Sequence, residues 1–219
     1  MRPWLRDRGL LLVNLGLFAL FFVLMAVFGF AVYNSEQSEH GQSLVTFTGY
    51  LTTGDFAEAT FENWESEFLQ MGSYVLLTAW LVQRGSSESK QLSDAPQDED
   101  PRLSQDDPNA PGPVRRGGWV LKLYENSLAL AFGILFLASL LGHAIGGARA
   151  YSAEELEHGG TAVSTWEYLG TAQFWFESMQ NWQSEFLAVA AIVGFTVYLR
   201  QRGSAESKPV AAPHAETGA

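Results

Sequence analysis

The sequence predicts an all-α membrane protein with four transmembrane helices, arranged as two parallel-related helical hairpins carrying short outer interfacial helices. Three observations carry that reading. First, Leu10 to Val32 runs 23 residues without a charge, long enough at about 1.5 Å per residue to cross a hydrocarbon core of roughly 30 Å. Ser127 to Ala148 is a second such run, broken only by His143. Second, the residues Asn63-Trp64-Glu65-Ser66-Glu67-Phe68-Leu69 return as Asn181-Trp182-Gln183-Ser184-Glu185-Phe186-Leu187, each ahead of a shorter apolar run, Phe68 to Val82 and Phe186 to Leu199. Third, the charges are sorted. Tyr33 to Glu67 holds seven acids, Ala150 to Glu185 holds six, and neither contains Lys or Arg. The bases Arg2, Arg6, Arg8, Arg84, Lys90, Arg115, Arg116, Lys122, Arg200, Arg202 and Lys208 flank the other ends of the runs.

By the positive-inside rule, both termini and the middle of the chain are expected in the cytoplasm and the two acidic segments outside. A signal-peptide reading of the first run is rejected, because the run is too long and has an internal counterpart. With no cysteine in 219 residues, disulfides and thiolate metal sites are excluded. A net charge of −11 argues against nucleic acid as a partner.

Laying each residue on the one 118 positions later aligns the halves without a gap, with 26 identities in the 58 positions from Tyr33 to Lys90. This reads as an internal duplication. Two spans per copy make the copies parallel, related by a pseudo-two-fold axis along the membrane normal. The expected organisation is a first repeat at 1–90, a disordered cytoplasmic linker at 91–117, a second repeat at 118–208 and a disordered tail at 209–219.

Each acidic segment is expected to hold a short outer helix, with Ser152 and Glu155 at capping-box spacing and Gly41 or Gly159 at its end. Gly49, Gly54 and Gly170 are expected to break the aromatic pieces that follow into short segments. Fifteen residues from Phe68 to Val82 cover only about 22 Å, so the second helix must begin earlier. If Trp64 sits in the aromatic belt, Glu67 lies about 4.5 Å inward. Arg84 and Arg202 are expected in the last turn, with Gly85 and Gly203 stopping the helix. Small residues at Ala138, Gly142, Gly146, Ala190 and Gly194 permit close helix approach.

Two copies of Asn-Trp-x-Ser-Glu-Phe-Leu, of Arg-Gly-Ser-x-Glu-Ser-Lys and of Glu-His-Gly, with a linker rich in Pro and Asp, resemble a bacterial integral-membrane family described only as a domain of unknown function. The resemblance covers nearly the whole chain. It implies a duplicated four-helix architecture in the bacterial cytoplasmic (inner) membrane and brings no activity, substrate or catalytic residue.

The sharpest candidate chemistry is the pair Glu67 and Glu185, since carboxylates at membrane depth default to a functional hypothesis. They could share a proton or cation, with His143 as partner. Against that, a carboxylate near a helix N-terminus is favoured electrostatically, and Asn63, Ser66 and Glu67 can simply cap and hydrogen-bond neighbouring outer loops. The bland reading is preferred. Asn63, Glu67, Gln70, Tyr74 and Thr78 fall close to one helical face, but their counterparts Asn181, Glu185, Ala188, Ile192 and Thr196 half erase that stripe, so a buried polar cluster is favoured over a pore. Glu36 with His40, and Glu154 with His158, are weak metal candidates, because two ligands per helix are too few.

Nucleotide loops, nucleophile elbows and zinc-protease helices are absent from the sequence, so no catalytic residue and no cofactor is assigned and an enzyme is not expected. The lead expectation is a structural or protein-interaction role, with membrane lipids and another membrane protein or a second copy as partners. The alternative is a proton or cation transporter using the paired glutamates. A membrane enzyme with a divalent metal ranks below both.

Overall fold

The computed structural model describes residues 7–91 and 99–218. The described residues are helical, without strands: α1 (Gly9–Glu39), α2 (Phe47–Tyr50), α3 (Gly54–Trp80), a 3-10 turn (Pro101–Ser104), α4 (Gly112–Arg116), α5 (Gly118–Glu125), α6 (Ser127–Glu157), α7 (Thr165–Tyr168) and α8 (Ala172–Tyr198). The boundaries recur: α6, α7 and α8 each begin 118 residues after α1, α2 and α3 (9 to 127, 47 to 165, 54 to 172) and have the same lengths. Two helices, α1 and α6, are long and apolar enough to cross a membrane, with mean hydropathy 2.7 and 2.2 over their most apolar stretches.

Several local expectations change. The outer helix after each apolar run is the continuation of α1 and α6, because no helix-breaking residue intervenes before Gly41 and Gly159. Both glycines adopt positive φ, 68° and 79°. The chain then closes with Gln42 N donating to Gln37 O at 2.8 Å and Gly160 N to Glu155 O at 2.7 Å, the hydrogen bond of a Schellman end. Ser152 sits inside α6 and caps nothing. Its hydroxyl pairs with the N–H and the carbonyl of Val163 at 3.0 and 3.2 Å, as the Asn34 amide pairs with both groups of Val45 at 2.9 and 3.1 Å. The capping box lies at Ser164 and Glu167 instead. Gly54 opens α3 and breaks nothing.

At the other end, α3 and α8 stop at Trp80 and Tyr198, one turn before Arg84 and Arg202. Those arginines therefore lie beyond the last turn, next to Gly85 and Gly203 with φ of 86° and 82°. The cation serving the end of α8 is Arg200, whose Nη1 donates to the carbonyls of Thr196, Val197 and Leu199. For α3 it is Lys90, with Nζ 2.6 Å from Ala79 O.

Part of the expected linker, 92–98, lies outside the described residues. The remainder contains the 3-10 turn and α4. The tail, expected to lack structure, is in its described part, 209–218, a series of turns tied down by hydrogen bonds. Lys208 is buried and its ammonium donates to the carbonyls of Pro213, His214 and Glu216 at 3.2, 3.0 and 2.8 Å. Thr217 Oγ1 accepts from Gly85 N at 2.9 Å, and Gly218 N donates to Ser86 O at 3.0 Å. Composition alone does not reveal that one lysine and a run of free carbonyls can order such a segment.

The chain forms two compact units, Met1–Thr60 with Gly142–Gly170, and Phe61–Leu141 with Thr171–Ala219. They do not follow the repeat boundaries, since each draws on both halves. In the first unit, a Cβ on Gly54 would lie 2.6 Å from Ala150 N, and one on Gly146 2.6 Å from Glu58 N. The start of α3 is thus in backbone contact with α6. Tyr168 is fully buried against Gly147, and Tyr50, 118 positions earlier, fills the space over Gly29. Phe22, Phe30, Tyr33, Phe47 and Phe56 gather around Tyr50 or its neighbours with ring centroids 5.4–6.2 Å apart. In the second unit, a Cβ on Gly72 of α3 would lie 3.1 Å from Phe132 of α6. Of the small residues singled out in sequence, Gly146 makes a close approach, whereas Gly194 has open space around it.

Candidate functional site

The repeated signature lies inside long helices, because α3 and α8 start about ten residues ahead of it. On α3, Phe61, Glu65, Phe68 and Gly72 recur at spacings of four and three, so they share one face. That face meets α8. Glu65 is fully buried, and its Oε1 accepts from Ser178 Oγ at 3.0 Å and from the Trp182 indole N–H at 2.9 Å. One turn earlier, Asn181 Nδ2 donates to Glu62 Oε1 and to Glu177 O at 3.2 Å. Further along, Gln70 Nε2 donates to Glu185 O at 3.0 Å. The result is a polar seam along the α3–α8 contact, walled by aromatics: Trp182 lies 6.1 Å from Phe136 of α6 and 6.5 Å from Trp175, centroid to centroid.

The sequence-predicted residues distribute unevenly over this geometry. Asn181 and Gln70 belong to the seam. Glu185 takes part through its backbone carbonyl, and its side chain is half-buried. Glu67 is exposed, as is Asn63, whose carbonyl accepts from Ser66 Oγ at 2.8 Å. His143 is fully buried, in the other unit. There it lies within 4.8 Å of the Glu58 carboxylate, ligand atom to ligand atom, and Tyr168 O–H donates to Glu58 Oε1 at 3.0 Å. His40 and His158 are exposed, each with Nδ1 bonded to the carbonyl of the glutamate four residues back, Glu36 at 3.0 Å and Glu154 at 2.9 Å. Among the described residues, neither histidine joins a cluster of three ligating side chains.

Glu65 is the residue that sequence reasoning missed. Its counterpart is Gln183, so a search for carboxylates repeated in both halves passes over it. The signal that could have found it is its place between Phe61 and Phe68 on the apolar face of α3, two positions from Glu67 and therefore about 200° around the helix. A carboxylate on that face must be met by donors from whatever helix packs there.

A profile of the family described as a domain of unknown function (DUF6766) matches residues 1–219. The chain belongs to that family. Neither a curated protein nor a solved structure matches it significantly. For this DUF6766 member, function must be argued from the site. The seam holds the Glu65 carboxylate against a hydroxyl and an indole N–H and the Glu62 carboxylate against the Asn181 amide. That is the chemistry of a fixed interhelical lock, in which burial in low dielectric strengthens each hydrogen bond.

Proposed function

We propose that this is a non-catalytic, multi-pass protein of the bacterial cytoplasmic membrane with a structural or interaction role, holding another membrane protein or a second copy of itself. The observation that carries the reading is the buried Glu65 carboxylate held by Ser178 and Trp182. A group bound so tightly by neighbouring side chains fixes a helix pair and does not ferry an ion. The large exposed apolar residues of α1 and α6, among them Leu10, Phe28 and Ile134, call for lipid around them. From Trp64 to Arg84 and from Trp182 to Arg202 the chain has enough length for two further spans. The recurrence of helix boundaries at 118 residues supports two parallel hairpins that arose by duplication. Basic residues clustered at the other ends support cytoplasmic termini, although Arg149 stands on the acidic side.

The test is reconstitution. E65Q, E67Q and E185Q variants in liposomes are expected to leave the membrane as ion-tight as the parent, with E65Q lowering thermal stability or assembly. A parent protein that conducts protons or cations, and loses conduction in the still-folded E67Q/E185Q double variant, would replace this reading with a transporter.

A further inference from the structure

Between the C-terminal end of α3 and the 186–193 stretch of α8 lies a cavity of about 330 Å³, at the lower end of the roughly 300–1,000 Å³ of small-molecule sites. Its walls are aliphatic, from Leu77, Leu81, Val189 and Val193, and one end is polar. There Tyr74 O–H donates to Glu88 Oε2 at 2.9 Å. A second cavity, of about 240 Å³, uses the equivalent positions 118 residues later: Ile192 for Tyr74, Thr196 for Thr78, Arg200 for Val82 and Glu206 for Glu88.

The difference between the two cavities points to a ligand. In the second, a guanidinium lines the same cavity as the glutamate and donates to the last carbonyls of α8. In the first, Val82 takes that position, and the lining holds a glutamate and a helix C-terminus with no Lys or Arg. Lys90 answers the carbonyl of Ala79 but does not line the cavity. Carboxylate and helix C-terminus both favour a cation. The aliphatic wall beside them favours an alkyl chain.

The geometry points to this cavity as a binding site for a single-chain amphiphile with an ammonium head group. The ammonium sits at Glu88, where Arg200 serves the related cavity, and the chain lies along Leu77, Leu81, Val189 and Val193. This does not rest on the structural role proposed above. A scaffold and a transporter could each carry such a site.

The experiment is calorimetric titration of the full chain in phosphatidylcholine nanodiscs with decylammonium, decanol and decyl sulfate, with empty nanodiscs subtracted. Decylammonium is expected to saturate a single site and decyl sulfate to show none. E88Q should weaken decylammonium by at least about tenfold. A190F, which fills the cavity from a wall residue, should abolish binding while the thermal transition persists. Equal binding of decanol or decyl sulfate, or unchanged decylammonium binding in either folded variant, overturns the proposal.

Discussion

The Trp182 indole N–H lies 2.9 Å from the Glu65 carboxylate, and the tryptophan 118 positions earlier has a glutamine, Gln183, at the position equivalent to Glu65. The lock joins α3 and α8 through Trp182, which the signature repeats as Trp64, and through Glu65 and Ser178, whose counterparts are Gln183 and Thr60. Trp182→Phe should cost about 1–3 kcal/mol, the scale of leaving a buried acceptor without its donor. Glu65→Gln should cost less, because its amide oxygen can still accept from Ser178 and Trp182. Glu67→Gln, on an exposed face, should stay within about 0.5 kcal/mol of the parent. Thermal unfolding in detergent ranks the three, and an E67Q loss larger than that of W182F would refute the seam as the stabilising contact.

Two glycines that look alike in sequence should behave oppositely. Gly146→Ala places a methyl 2.6 Å from Glu58 N, where backbone must move, and is expected to cost about 1–3 kcal/mol. Gly194→Ala meets nothing within 4 Å and should stabilise α8 by up to about 1 kcal/mol through helix propensity. The same melting assay distinguishes them.

Lys208→Met removes the ammonium that gathers three carbonyls of the tail. Cleavage of 209–218 by thermolysin should become several-fold faster, with the helices left intact. Lys90→Met, at the equivalent position, loses its bond to Ala79 O and should leave tail cleavage unchanged. Mass spectrometry of the fragments reads both.

Burial pushes the Glu88 carboxyl above its ordinary value of 4.5; the Tyr74 hydrogen bond opposes the shift, nearby Glu206 adds to it, and Ser87 opposes it. An acid that holds its proton more tightly when folded stabilises the fold at low pH. Its contribution is complete below 4.5 and is lost as pH rises through the raised value. Glu88→Gln should therefore flatten the fall in Tm between pH 4.5 and 8 relative to the parent, with Tm at pH 8 raised. An identical pH profile in parent and variant would show that Glu88 is not buried in solution.

Much of this molecule was legible in one chain of letters because the determining interactions are short in sequence. The apolar lengths of α1 and α6 follow from composition, and the positive-φ turns at Gly41, Gly85, Gly159 and Gly203 from glycine's lack of a Cβ. The matching boundaries of the two halves follow from the same local signals at positions 118 apart, such as Gly41 and Gly159 after α1 and α6. What the tertiary structure alone decided is which side of each helix is covered. Glu65 and Glu67 stand two residues apart in the same motif, and only the rotation of α3 against α8 makes one a buried acceptor and leaves the other exposed. His143 comes within 4.8 Å of the Glu58 carboxylate for the same reason: that approach depends on where α3 lies beside α6, which local propensity does not encode.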